Sequence, residues 1–552
     1  MTIYKSDQPS VEIDENPMGT QILESIWKHS LHDPNKKAFV NAKDENDFVT
    51  YRELYLKIHS FVAFLAEIGV KQGDIVAPVM RNRWEYSIIL FGSWVAGATV
   101  SPASFAFTDW ELARQLNDCK ASLLICDETS LETVLPAIKN SPSVKKLIIL
   151  GDHSGHSVPG IKVYSFTDAL RTAPLNSLPK IRWNTKNDVC IIPYSSGTTG
   201  PPKGVMITHC NMSAMMAMFR ACLFTSVFKA IEPDYDPRNE SVLIFLPFYH
   251  VYGSSLVTNS MFIGGTSVIM SSFEPEVFCS VIERYRMKTV SVVPPILVFM
   301  AKSPIVDKYD LSSLKFVASG AAPLGQDLSI EVMKRLPNVK GVHQGYGMTE
   351  MTMASHRMAP LLAVGDKISS IGTLMPNVES KIVDPNTGKS LGPYQNGEIC
   401  VRSPGVMKGY LNRRKETADT IDSEGWLHTG DIGYVDKDGF FFIVDRLKEL
   451  IKVRGFQVPP AELEDLLLSH PLIDDAAVIG VKDQRSGELP KAFIVRKSST
   501  LTAEEVKKFV AEKTAPYKHL KGGVEFIEQI PRSLSGKILR KELRGSAGLA
   551  KL

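Results

Sequence analysis

The chain has 552 residues, 44% hydrophobic and 22% charged, which fits a globular protein of more than one domain and excludes a disordered or low-complexity chain. Its 63 basic and 60 acidic residues leave a net charge of +3, too small to draw nucleic acid or an anionic membrane. The seven cysteines form no C-x-x-C pair and no metal-ligand spacing, so they read as reduced, mostly buried thiols of an intracellular compartment.

Residues 1–20 are polar and acidic, unlike a signal or transit peptide, and read as a loosely ordered arm. An amphipathic helix is predicted from Gln21, with Ile22, Leu23, Ile26 and Trp27 on its apolar side. Thr50 with Glu53 three residues later is a capping box opening a second helix, whose apolar positions are Leu54, Ile58, Phe61, Val62 and Leu65. Strand and helix patterns then alternate from Asp74 to Leu150, which argues for a parallel α/β layered sheet. The most apolar stretches, Ile88 to Val100 and Ser291 to Met300, are broken by Gly, Ser or Pro, and no run reaches the ~18 apolar residues of a transmembrane segment.

The alternation resumes after residue 188. Val189 to Ile192 reads as a buried strand, and Met212 to Leu223 as a Met-rich core helix. Helices are predicted over Phe273 to Arg286 and Asp327 to Leu336, with strands at Val242 to Leu246, Ser291 to Val293 and Phe316 to Ala318. From Ile371, short strands separated by Asn-Gly and Asp-Gly turns make a small β region. Past Arg446 the texture returns to α/β with more charge. The predicted fold class is therefore α/β: layered sheets plus a small β region in a large unit, residues 21–445, and a smaller mobile α+β unit, residues 446–552.

Between strand and Met-rich helix lies Tyr194-Ser-Ser-Gly-Thr-Thr-Gly-Pro-Pro-Lys-Gly204. Glycines let backbone N–H groups approach an anion, hydroxyls add donors and Lys203 adds a point charge, the chemistry of a polyphosphate cradle. It is not a Walker A loop, because Pro202 stands where the second Gly is required. Taken alone it reads equally as a Ser/Gly linker.

Four further stretches point the same way. Gln344-Gly-Tyr-Gly-Met-Thr-Glu350 offers an aromatic for a base and a carboxylate for Mg²⁺. Trp426-Leu-His-Thr-Gly-Asp431 sets a carboxylate on a tight turn, suited to two ribose hydroxyls. Asp445 to Lys452 brings cations to the unit junction, and Ser533-Leu-Ser-Gly-Lys537 places a lysine on a Gly-preceded loop. Each stretch has a plainer reading as a cap, a turn or a solvated face. Their joint order makes that reading poor.

As an ordered set, YSSGTTGPPKG, QGYGMTE, GWLHTGD, DRLKELIKVRGFQV and SGKILR resemble the adenylate-forming superfamily from about Tyr51 to Arg540. Within it, the branch of 4-coumarate–CoA ligases, acyl-CoA synthetases and luciferases is most similar. The resemblance implies an ATP-dependent carboxylate–CoA ligase: an acid becomes an acyl-adenylate, and coenzyme A then displaces AMP. It implies that Ser195, Ser196, Gly197, Thr198, Thr199 and Lys203 hold the β- and γ-phosphates. Thr349 would meet the α-phosphate, and Glu350 the Mg²⁺. Gln344, Gly345 and Tyr346 would line the adenine, with Asp431 and Arg446 at the ribose. It implies Lys537 for adenylation, a hinge at Lys448, and Lys452, Gln457, Arg454 and Gly455 at the thioester site after the small unit rotates. His250 would lie near the acyl carboxylate, and Tyr252, Ala322, Met351 and Met353 would shape the acyl pocket.

The departures from the pattern are Arg454 and Ser272, where related ligases carry lysines for coenzyme A, and the bulky Met351 to Arg357 run, which does not match a cinnamate ligase. A fatty or aryl-type acid is expected. A luciferase-like monooxygenase and an adenylating enzyme with a non-CoA acceptor stay as alternatives. The tail Ala550-Lys551-Leu552 is similar to the Ser-Lys-Leu address read by the peroxisomal import receptor, so a peroxisomal location is expected, otherwise a cytoplasmic one.

Overall fold

The computed structural model describes residues 2–151, 157–175, 177–195, 202–322, 324–447, 449–453, 456–483, 485–514, 516–533 and 536–545, and the backbone but not the side chains of Phe456 and Gln457. Local chemistry sets the helix starts. The Thr50 hydroxyl accepts from Glu53 N–H, and the Glu53 carboxylate accepts from Thr50 N–H, opening the helix Tyr51–Glu67. The same reciprocal cap opens Asp109–Cys119 at Thr108, His209–Cys222 at Thr208 and Ala503–Lys513 at Thr502.

A nine-stranded sheet is built around parallel strands Thr99–Val100, Ile75–Val79, Leu123–Asp127, Lys146–Leu150 and Lys162–Ser165. At its far side Val189–Ile191 pairs antiparallel with Lys203–Thr208, which also pairs with Tyr194–Ser195 and Gly409–Tyr410. The layered α/β expectation holds, with this antiparallel edge added. A four-stranded sheet carries Ser241–Ile244 and Thr266–Ile269. A five-stranded sheet runs Thr289–Val292, Phe316–Ser319, Gly341–Tyr346, His356–Arg357 and Thr373–Leu374. Another, antiparallel, ends with Leu427–Val435 beside Phe441–Arg446 and is the expected small β region.

The last sheet contains Ile451–Val453, Phe456–Val458, Ile473–Asp483, Gly487–Arg496 and Gly523–Phe526 and has its own buried core, including Ile451, Leu463, Val478 and Ile494. At the passage between the last two sheets, the buried Asp445 carboxylate accepts from Arg446 N–H and Ala461 N–H. Burial raises its pKa to about 6.

Among the helices that escaped the periodicity reading are Val251–Ile263 and Pro294–Lys302. The first is buried on most sides and so has no polar stripe for a 3.6-residue pattern to reveal. The arm expected to be loose is instead tied down. Tyr4–Lys5 pairs with Glu379 and Ser380, and Val11 exchanges hydrogen bonds with the Asn377 side chain. One helical stretch, His209–Ile231, is long and apolar enough to cross a membrane by length and composition. Met212, Met215, Met216 and Met218 bury its apolar side in the main core, so it packs as a core helix.

Candidate active site

Strand register assembles the site. Leu427–Val435 and Phe441–Arg446 pair so that Asp431 stands opposite Arg446, and Arg446 Nε meets Asp431 Oδ1 at 3.1 Å. From the neighbouring sheet, the parallel strand Gly341–Tyr346 delivers Tyr346, whose hydroxyl donates to Asp431 Oδ2 at 2.6 Å. Burial and the Asp431 charge hold that phenol well above its ordinary range. The turn under Asp431 is braced from the adjacent strand. Glu398 Oε1 accepts from Gly430 N–H at 2.9 Å, and Oε2 lies 2.9 Å from His428 Nδ1. Cys400 joins this group, so Glu398, Cys400 and His428 meet in space although their spacing in sequence is not that of a metal site.

Glu350 follows in the turn Thr349–Met351 and is 5% exposed. Ser195 Oγ donates to its Oε1 at 3.0 Å and Tyr410 Oη at 2.8 Å. Lys203, opposite Ser195 in register, holds its ammonium over the Tyr410 ring at 4.3 Å. Gln344 is buried and spends its amide on the carbonyls of Leu324 and Ile368, so it secures the strand that carries Gly345 and Tyr346.

Lys537 joins this group from the far end of the chain. Gly536, at φ 81°, lets the loop turn close against Pro295 and Val293, and Ser533 Oγ accepts from Lys537 N–H. The residue keeps much of its surface accessible, and its charge acts on the Arg446, Glu350 and Asp431 group. Burial of the ammonium lowers its pKa, the Arg446 charge lowers it further, and Glu350 and Asp431 oppose both. Lys537 in turn acts on His250. Burial first, and Lys537 second, lower that imidazole to about 4, so it is neutral at physiological pH. The His250 ring lies tilted against that of Tyr249, with centroids 4.5 Å apart, and the residue precedes the helix that carries Tyr252.

Thus the fold gathers Ser195, Lys203, Tyr346, Glu350, Asp431, Arg446, Lys537 and His250 into one neighbourhood. Thr349 is half-buried in the same turn as Glu350, and Tyr252 faces Gly320, where an added β-carbon would lie 3.4 Å from the tyrosine ring. Ala322 is partly exposed, whereas Met351 and Met353 are 1% and 7% exposed and pack into the main core. Lys452 lies elsewhere. It is exposed, pairs with Gln457 and gives its N–H to Glu488. Ser196, Gly197, Thr198, Thr199, Lys448, Arg454, Gly455, the Gln457 side chain and the Ala550-Lys551-Leu552 tail lie outside the described residues. Tyr410 is a site residue that sequence reading passed over. Its signal is a Gly-preceded aromatic, as at Tyr346, but nothing local ties it to Glu350.

A model of the AMP-binding enzyme family matches residues 26–411, and a model of the AMP-binding enzyme C-terminal domain matches residues 462–537. The chain is 40% identical to 4-coumarate:CoA ligase 1 of Petunia hybrida over 98% of this chain and 96% of that protein. It is 40% identical to 4-coumarate–CoA ligase 1 of Petroselinum crispum with the same coverage. Among solved structures, ATP-bound MatB from Rhodopseudomonas palustris superposes with a TM-score of 0.82 at 26% identity, over 96% of this chain and 99% of that one. The anthranilate CoA ligase AuaEII in complex with anthranoyl-AMP shares the fold, with a TM-score of 0.83 at 24% identity over 99% of both chains.

Proposed function

From the premise that the chain belongs to the AMP-binding enzyme family and is an ATP-dependent acid–thiol ligase, we propose that it activates a fatty or aryl-type acid at the Lys537–Asp431–Glu350 centre. One oxygen of the acid's carboxylate attacks the α-phosphorus of ATP, and the bond to the β-phosphate oxygen breaks. Acyl-adenylate and pyrophosphate result. The sulfur of coenzyme A then attacks the acyl carbon, and AMP leaves with the bonding pair. A carboxylate is already ionised at neutral pH, so the first step needs charge neutralisation and positioning rather than a general base.

The observation that carries this reading is the Lys537 ammonium acting within the group of Arg446, Glu350 and Asp431. A cation there neutralises charge that spreads over carboxylate and α-phosphate as they approach. Asp431, with Tyr346 and Arg446 on either side, takes the ribose hydroxyls. Tyr346, Gly345 and Gln344 form the adenine side, and Thr349 contacts the α-phosphate. Lys203 with Ser195, Ser196, Gly197, Thr198 and Thr199 receives the β- and γ-phosphates. Neutral His250 orients the acid, and Tyr252 and Ala322 shape its pocket. Met351 and Met353 back that pocket from the core.

Glu350 is the fitting Mg²⁺ ligand. Two hydroxyls occupy its Oε1, and among the described residues Oε2 has no partner. That donor set suits a cation held by one carboxylate plus substrate phosphates. The bound ion supplies Lewis-acid neutralisation of the pyrophosphate leaving group.

The unit boundary lies at Asp445 to Lys448, and Lys448 is the hinge. Rotation there would carry Lys537 out and bring Lys452, Arg454, Gly455 and Gln457 to the coenzyme A side. The exposed Lys452, away from the Lys537 group, supports this. The Ala550-Lys551-Leu552 tail directs the protein to the peroxisome through its import receptor, where fatty acid metabolism would use it.

The test is pyrophosphate release from ATP and Mg²⁺ over a panel of carboxylic acids, with and without coenzyme A. Turnover dependent on coenzyme A, with an acyl-CoA product, supports the reading. Release indifferent to coenzyme A assigns another acceptor.

A further inference from the structure

Arg357 ends the short strand His356–Arg357, in register with Gly345 of the strand that carries Tyr346. The residue is half-buried, with part of the side chain enclosed and part accessible. Its Cζ lies 4.9 Å from the centroid of the Phe219 ring, which offers a π face and no hydrogen-bond acceptor of its own. Nε is buried without a hydrogen-bond partner, and among the described residues no carboxylate pairs with the group.

The titratable groups that act on it are Cys222 and Tyr252, and neither is an anion at neutral pH. Burial pushes the Cys222 thiol up to about 11 and raises the Tyr252 phenol above its ordinary 10.0. His343 lies close enough for the Arg357 charge to act on it, is neutral through burial, and leaves both ring nitrogens buried without partners. Arginine stays charged in proteins, and an enclosed charge without a counter-ion is costly. The protein therefore holds a half-buried cation beside unused polar atoms, and among the described residues no anion is supplied to it.

Tyr252 links Arg357 to the reacting centre. It sits two residues from His250, which feels Lys537, and it also feels Arg357. On the ligase reading, Arg357 therefore belongs with the Tyr252 side of the site, where the acid would lie.

We propose that the acid activated by this protein carries a second oxyanion, in the simplest case a carboxylate, at the end remote from the reacting carboxylate, and that Arg357 binds it. The substrate class is then a dicarboxylic acid rather than a plain fatty or cinnamic acid. The inference rests on the ligase reading above and narrows it. Arg357 is a specificity residue here, since it meets substrate away from the atoms that react.

The test compares acyl-CoA formation from matched monocarboxylic and α,ω-dicarboxylic acids, over a graded series of chain lengths, by the wild-type protein, Arg357→Met and Arg357→Lys. The wild type is expected to prefer the diacid. Arg357→Met should lose on the order of 10- to 100-fold in kcat/KM on the diacid and gain on the monoacid, the range of a charge-assisted hydrogen bond. Arg357→Lys should keep part of the preference. A wild-type preference for the monoacid at every length, or an unchanged ratio in Arg357→Met, overturns the inference and leaves the ligase reading standing.

If no acid turns over, the ligase reading falls. Calorimetric binding of the diacids, with a non-hydrolysable ATP analogue present, then decides the role of Arg357. Weaker binding by Arg357→Lys supports it, and equal affinity overturns it. Should Arg357→Met not fold, Arg357→Lys and Arg357→Gln carry the kinetic comparison.

Discussion

The hydroxyl of Tyr346 donates to Asp431 Oδ2 at 2.6 Å, across 85 residues of sequence. Arg446 reaches the other oxygen of the same carboxylate at 3.1 Å. Asp431 is therefore both a ligand candidate and the brace between two sheets. Asp431→Ala leaves a phenol and a guanidinium without their shared acceptor and is expected to cost about 1–3 kcal/mol of stability. It should also weaken ATP binding, whereas Asp431→Asn should retain more stability than it retains ATP affinity. Thermal unfolding and ATP titration check this. Unchanged ATP binding in both variants would remove Asp431 from the nucleotide site.

Lys537 stands on the last segment of the described chain, yet its charge acts within the Arg446, Glu350 and Asp431 group. Lys537→Ala should slow adenylate formation by on the order of 100- to 1000-fold, the range for losing one preorganised electrostatic donor. Coenzyme A attack on a supplied acyl-adenylate should be nearly unaffected, because in the proposed rotation that step would use the other face of the small unit. Parallel loss in both half-reactions would contradict the assignment.

Glu350 accepts from Ser195 and Tyr410 through one oxygen. Glu350→Gln retains the shape and acceptor but loses the charge. The Mg²⁺ concentration for half-maximal pyrophosphate release should rise severalfold, with a smaller change in the acid's KM. An unshifted Mg²⁺ titration would assign the ion to other ligands.

The buried imidazoles of His209, His250 and His356 are pushed down to about 4, about 4 and about 3 by burial. His209 Nδ1 accepts from Met18 N–H at 3.2 Å, which requires the neutral ring. The folded values lie below the ordinary 6.5, so the unfolded chain binds more protons as pH falls. Stability from these groups is full above pH 6.5 and is lost as pH falls from there toward 4. Melting temperature should drop across that window, and His209→Gln should reduce the proton uptake on unfolding by about one. A melting temperature flat between pH 7 and 4.5 would contradict it.

Gly347 sits where the loop after Tyr346 folds back on itself. A β-carbon there would lie 1.7 Å from Met353 O and 2.6 Å from Ala354 Cα. Both are backbone atoms that cannot swing away, so Gly347→Ala is expected to cost at least about 3 kcal/mol and to displace Tyr346 and Glu350 together. Retained melting temperature and activity in soluble Gly347→Ala would refute this.

Helix starts and the layered strand order were legible because they rest on neighbours in sequence. Thr50 with Glu53 and Thr108 with Glu111 close their caps within one turn. The phosphate loop, the Tyr346 and Glu350 segment, the Asp431 turn and Lys537 were legible as motifs, since each packs its chemistry into a few residues. The helix Val251–Ile263 was not, because burial around most of its surface erases the amphipathic period. Nor was the anchoring of the arm at Tyr4, which depends on the edge of a strand at Glu379 and Ser380.

Residue types and their order thus set the reaction class, because attack on a nucleotide phosphate demands hydroxyls, glycines, a carboxylate and cations at short spacing. What tertiary structure decided was which of these groups share one neighbourhood and, among the described residues, which oxygen of Glu350 stays open and which charges lack partners. Arg357 makes the difference plain. In sequence it is one cation in a bulky run. It becomes a candidate anion site only when folding sets it against Phe219, Cys222 and Tyr252, with no carboxylate beside it among the described residues. An unpaired charge is a property of everything around a residue, and a linear sequence does not specify what will surround it.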